Sequence, residues 1–161
     1  MDKKFLLRLN DTFKSIKTKI LLNENIRNLL YYDVLSEENE EVPVRVAAEH
    51  VFIQPVIDVE EPFNKKNYIT ITMPDGDKSN NKMDYVVRLI VMCDKTSWNI
   101  DGDCRPLLIA QEIINELDGE KFKLSNPLVF SNIVETVTNK NVYGYSLLFD
   151  ITDGISDIDE K

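Results

Sequence analysis

The 161 residues carry 19 cations, 28 anions and a single histidine, for a net charge of −9. With 43% apolar and 29% charged residues, the chain has globular composition and enough length to bury a core without disulfides or metals. The negative balance repels a phosphate backbone over most of the surface, which excludes general nucleic-acid binding. Residues 1–27 depart from it, with seven cations (Lys3, Lys4, Arg8, Lys14, Lys17, Lys19, Arg27) against Asp2, Asp11 and Glu24. That segment is +4 and the remainder −13. Such asymmetry reads either as a solvated helix face or as head-to-tail attraction between copies.

Phe5, Leu6, Leu9, Phe13, Ile16 and Ile20 share one helical arc, with Lys14 and Lys17 outside it and Leu7 on the basic side. Asn23 is a cap for a second short helix whose buried side is Ile26, Leu29 and Leu30. Residues 33–45, with Glu37, Glu38, Glu40 and Glu41, read as an acidic surface loop or mobile linker. Val51–Val59 contains Pro55 and reads as an edge or bent strand. In Asn67–Met73 the alternation of Ile69, Ile71 and Met73 with Tyr68, Thr70 and Thr72 predicts a half-buried strand.

Pro74 to Lys82, rich in turn residues, predicts an extended loop. Tyr85–Asp94 is apolar on both faces apart from Arg88, which predicts a central strand in which Arg88 needs an acidic partner. A helix over Arg105–Leu117 has Pro106 in its first turn and Gly119 just past its end. Leu107, Ile109, Ala110, Ile113, Ile114 and Leu117 form its expected buried face, leaving Leu108 among polar residues. Ser131–Thr138 and Val142–Ile151 predict a closing hairpin whose Tyr143, Tyr145, Leu147, Phe149 and Ile151 pack on that helix.

These elements predict an α+β fold: amphipathic N-terminal helices, then a mainly antiparallel or mixed sheet of four to five strands with one long helix (about 105–117) packed on it. The expected organisation is a single domain over 1–152, made of a helical lead-in (1–32), an acidic loop (33–45) and a sheet with its helix (51–152). An acidic tail completes the chain at 153–161.

Chemistry is poorly supplied. An EF-hand register on Gly102 leaves Ser97 and Leu108 at ligand positions, and one on Gly76 leaves Met73 and Ile71, so turn chemistry explains both clusters. The glycines never take a phosphate-cradling spacing. Cys93 and Cys104 make no disulfide framework, and His50 is the only histidine available as a base or zinc ligand. Asp58, Glu60, Glu61 and Lys65 have nuclease-like residue types but are interrupted by Pro62-Phe63-Asn64. No catalytic residue, metal site or cofactor is expected. The polar N-terminal helix is not a signal peptide, and no apolar run is long enough to span a bilayer. Trp98 reads as a loop anchor or as an aromatic partner contact.

The order of these elements resembles the tail-terminator family of long-tailed bacteriophages and the neck and head-tail completion proteins that share its fold. The resemblance rests on the amphipathic first helix, the strands near 51–59 and 67–73, the 74–82 loop and the Asp84–Asp94 strand. The helix ending Glu116-Leu117-Asp118-Gly119 and the final hairpin complete it. It implies a virion structural protein, not an enzyme, that forms a ring, commonly of six copies. The ring caps the tail tube protein and joins it to the head-side connector or stopper, with DNA passing the lumen unbound and no membrane involved. Expected interface residues are Lys14, Lys17, Asp75, Asp77, Lys78, Arg88, Trp98 and Leu108. The alternative is a small adaptor that binds an acidic partner through the basic helix.

Overall fold

A computed structural model describes residues 3–53, 66–79, 82–122, 126–139 and 142–154. Helix α1 spans Lys3–Leu22 and α2 Glu24–Tyr31. The Asn23 side-chain oxygen accepts from the Ile26 amide at 3.0 Å, the cap expected from sequence. In α1, Leu9, Ile16, Ile20 and Leu21 are buried while Leu7 is 64% exposed, so the apolar arc docks and the basic side stays outside. Each such buried aliphatic side chain contributes on the order of 1.5–3 kcal/mol.

Beyond α2 the acidic segment is not a free linker. Val42 is buried, the Asn39 amide donates to Val34 O at 2.9 Å, and Glu41 pairs with the buried Arg27. Arg27 also donates to Val42 O at 2.9 Å and Leu21 O at 2.8 Å. The segment ends earlier than expected, at Pro43, which caps a one-turn helix α3 (Val44–Ala47) continued as a 3-10 turn over Ala48–His50.

Five strands form one mixed sheet: β1 (Val51–Phe52), β2 (Asn67–Ser79), β3 (Lys82–Asp94), β6 (Val129–Asn139) and β7 (Val142–Gly154), in the order β1-β2-β3-β7-β6. β1 runs parallel to β2 and the other neighbours are antiparallel. A small ribbon of β4 (Asn99–Ile100) and β5 (Asp103–Cys104) turns through Asp101 (φ 50°) and Gly102 (φ 88°), so the Asp/Gly cluster forms a two-residue hairpin turn. Helix α4 (Arg105–Leu117) packs on the sheet, with the boundaries expected from sequence. The architecture is α+β.

The structure departs from the sequence pattern at several places. Most of the 51–59 strand, together with Asp58, Glu60, Glu61 and Lys65, lies outside the described residues; β1 contributes two paired residues at the sheet edge. Pro74–Lys82 is not an extended loop, because β2 and β3 continue as a paired ladder from Asp75↔Val86 to Ser79↔Lys82. An irregularity between Thr72 and Asp75 accommodates Pro74, which cannot donate to a ladder. The last hairpin begins at Val129 instead of Ser131 and runs to Gly154, into the expected tail. On α4 the roles of two leucines are exchanged: Leu107 is 42% exposed, whereas Leu108 packs against the core. The helix is buried on two sides, against the sheet and against α2, so a single-stripe reading places the second contact incorrectly.

β3 is the middle strand, as its apolar faces predict. Tyr85, Val87, Leu89, Val91 and Cys93 join the core beneath α4 with Leu147, Phe149 and Ile151 of β7. Tyr68, Ile90, Met92 and Val142 form a second cluster on the opposite face.

Gly144 is required by a close approach. A Cβ there would fall 1.6 Å from Val91 O and 2.7 Å from the Val91 carbonyl carbon, backbone atoms that no rotamer change can move. Gly144→Ala is expected to lower stability by about 3 kcal/mol or more, read as a reduced midpoint in urea denaturation monitored by circular dichroism.

Candidate functional site

Two side chains hold α2 against α4. At one end, Asn23 Nδ2 donates to Glu112 at 3.1 Å and Glu116 at 2.9 Å, so one amide both caps α2 and ties it to α4. At the other end stands Arg105, whose side chain is fully buried. Its Nε donates to Ser97 O at 2.7 Å, Nη1 to Leu29 O and to Tyr32 O (2.7 Å), and Nη2 to Asp33 O at 3.2 Å. These acceptors include carbonyls at the C-terminal end of α2, which lack intrahelical donors and carry the negative end of the helix dipole. Burial lowers the Arg105 pKa from its ordinary value, and the charges of Asp33 and Asp101 oppose that shift. The two helices therefore run antiparallel, pinned at both ends.

A polar network extends from this clamp. Asn67, at the start of β2, donates to Leu30 O at 3.3 Å and accepts from the Ser97 hydroxyl at 2.5 Å. His50 Nδ1 donates to Asn67 O at 2.7 Å, so that nitrogen carries the proton. The lone histidine is thus engaged in the buried frame.

Between α2, α4 and the acidic segment lies a cavity of about 500 Å³. Leu29, Leu35 and Leu108 supply its apolar walls, while Asn28, Glu37 and Gln111 contribute polar groups. Its depth follows from the Arg105 clamp, which fixes the end of α2 and the chain leaving it. A second groove, of about 350 Å³, lies near the β2-β3 hairpin and brings together Asp75, Asp77, Asp84 and Asp150. Among the described residues, no group of three or more His, Cys, Asp or Glu is arranged to hold a metal ion.

The residues singled out from sequence are scattered. Lys14 is exposed and Lys17 half-buried on α1. Two other members of the basic segment are occupied internally, Lys19 with Glu120 at 3.1 Å and Arg27 with Glu41. Asp75 and Asp77 share the acidic groove; Lys78 pairs through its backbone with Met83, and its side chain lies outside the described residues. Among the described residues Arg88 has no acidic partner of the kind expected for it, and its buried Nε makes no hydrogen bond. Trp98 packs edge-on against Tyr143 (6.1 Å) and tilted on Tyr145 (6.3 Å), an internal anchor at one end of β7. Leu108 is on the cavity wall.

Strand β6 lies outside the expected contact set. It is an edge strand of 11 residues, with Val129, Ile133, Val134 and Val137 between 40% and 58% exposed. The alternation in sequence signals a strand but not its position at the rim. Arg105 is equally unexpected, because an arginine at a helix start ordinarily reads as solvated.

A family profile described as YomW matches residues 23–151, from the α2 cap into the last strand. The chain belongs to the YomW family. This family has a phage gene's name, so membership associates the chain with bacteriophage. Helix α1 lies N-terminal to the matched range, whereas the Arg105 clamp, the cavity and β6 all fall within it. No curated protein matches the chain. Among the described residues no helix is long and apolar enough to cross a membrane.

Arg105→Met should destabilise the YomW-family fold by about 3–5 kcal/mol, because several buried carbonyls lose their donor at once. Arg105→Lys should recover only part of that, since an ammonium cannot span the same fork of acceptors. Urea denaturation of the pair checks the ordering. Burial also pushes the Cys93 thiol up to about 12, with the nearby Arg105 charge opposing the shift. Below that pH Cys93 stays protonated and unreactive, so iodoacetamide at pH 8 should label Cys104 in native protein and Cys93 only after denaturation, as read by peptide mass spectrometry.

Proposed function

We propose that this YomW-family protein is a non-catalytic structural subunit of a tailed-phage virion. Copies form a ring that terminates the tail tube and joins it to the head-side connector. The observation carrying this reading is β6, with β7 on one side and no strand on the other among the described residues. Its only charged residue is Glu135, it contains no proline, and its exposed apolar side chains occur on both faces. An isolated soluble domain protects such an edge with charge, proline or a covering element, whereas an assembly subunit buries it against a neighbour.

Other features agree. The order of elements resembles tail terminators, and the family association is with phage. The groove holding Asp75, Asp77, Asp84 and Asp150 would give a lumen-facing surface that repels DNA and lets it pass without adsorbing. The adaptor alternative has weaker support, because Lys19 of the basic helix is paired with Glu120 and Arg27 of α2 with Glu41, both within the chain.

Val134→Lys combined with Val137→Lys is expected to convert oligomers to monomers in light scattering coupled to size exclusion, while leaving the circular-dichroism melt within a few degrees of wild type. Negative-stain images of wild-type protein should show rings. A wild-type chain that stays monomeric at high concentration, with and without tube protein, would exclude the ring.

A further inference from the structure

The cavity between α2, α4 and the acidic segment has an unusual hydrogen-bond balance. Three of its side-chain amides each turn an N–H inward: Asn25 Nδ2 approaches Glu112 at 3.4 Å, Asn39 Nδ2 donates to Val34 O at 2.9 Å, and Gln111 Nε2 to Asn115 at 2.9 Å. Asn28 Oδ1 is buried and has no hydrogen-bond partner, which costs free energy unless a donor arrives. Glu37 and Glu112 line the same cavity, and neither lysine nor arginine does. The site therefore offers acceptors and negative charge above an apolar wall of Leu29, Leu35 and Leu108. A side chain with an aliphatic stem and a cationic end satisfies both parts, the stem against the leucines and the N–H groups toward Asn28 and Glu37.

One surface of the same chain carries that chemistry. Leu7 and Leu22 are 64% and 67% exposed, the two highest values among the described large apolar side chains. Lys14 lies between them, and Leu7, Lys14 and Thr18 fall on one strip of α1 at helical spacing. Lys14 lines a different hollow, with Leu22 and Phe122, so its own cavity is not its neighbour. A cavity and a helix on separate surfaces make a heterologous contact, the kind that closes into a ring when repeated.

We infer that this cavity is the receptor for Lys14 on helix α1 of a second copy, with the exposed Leu7 of that helix covering part of the leucine wall. The inference rests on the ring reading and names the pair of surfaces that would join its subunits. Val44-Arg45 is the competing cationic and apolar pair, since Val44 is 43% exposed and Arg45 is exposed.

The test is a charge exchange in the full chain, read by light scattering over a concentration series. Lys14→Glu and Glu37→Lys should each raise the concentration needed for half-assembly by about tenfold or more, with circular-dichroism melts unchanged because both positions are exposed. Mixing the two single variants should also restore assembly, because an alternating ring pairs every altered surface with one of opposite charge. Combining them in one chain should bring the midpoint back to within about threefold of wild type at low salt. If wild-type protein assembles and neither reversal weakens it, the cavity is not the receptor, although the ring reading stands. If Arg45→Glu weakens assembly and is rescued by Glu37→Lys while Lys14→Glu has no effect, the assigned occupant is wrong. Wild-type protein that never self-associates overturns both readings.

Discussion

The arrangement of this protein depends on one buried guanidinium. Arg105 stands at the first residue of α4 and donates to carbonyls of Leu29, Tyr32, Asp33 and Ser97, joining parts of the chain more than seventy residues apart. A buried charge is costly unless its donors are met, and here the unpaired carbonyls at the end of α2 meet them. The match is reciprocal. The helix end supplies acceptors that would otherwise need water, and the arginine supplies directed donors that would otherwise be stranded.

The consequences of that clamp are mostly positional. With α2 held at its end by Arg105 and at its start by Asn23, the face of α4 bearing Leu108 turns toward α2 instead of toward solvent. The acidic segment then leaves α2 in a defined direction and is caught again by Arg27 through Glu41 and Val42. A pocket open to solvent results between α2, α4 and the acidic segment. The His50, Asn67 and Ser97 contacts continue the frame to the start of β2, so the helical layer and the sheet share one polar seam.

Outside that frame the surfaces divide into three kinds: an acidic groove near the hairpin, a half-buried Arg88 on the face away from α4, and an unprotected edge at β6. Among the described residues, the candidate nucleophile and the candidate base both lie inside that frame. Cys93 is buried as a thiol and His50 is bonded into the backbone frame. Among the described residues, β6 leaves an edge of backbone groups, and the cavity beside α2 holds an unmet acceptor at Asn28.

Local periodicity made much of the fold legible. The cap at Asn23, the α4 boundaries at Arg105 and Leu117, the central placement of β3 and the inward face of β7 could all be read from spacing, because each is set by side chains a few residues apart. The candidate site was less legible. Leu107 and Leu108 exchanged roles because a helix touching two partners has two buried stripes, and its own sequence does not say where the second partner lies. Pro74 and its Asp/Gly neighbours looked like a loop because turn residues also occur in irregular ladders near an edge. By itself, then, the sequence determined most of the helices and strands and the principal apolar face of each. Only the tertiary structure decided that Arg105 is buried, that β6 is at the rim and that a cavity opens beside α2, because each depends on which distant segment arrives to meet or leave unmet a polar group.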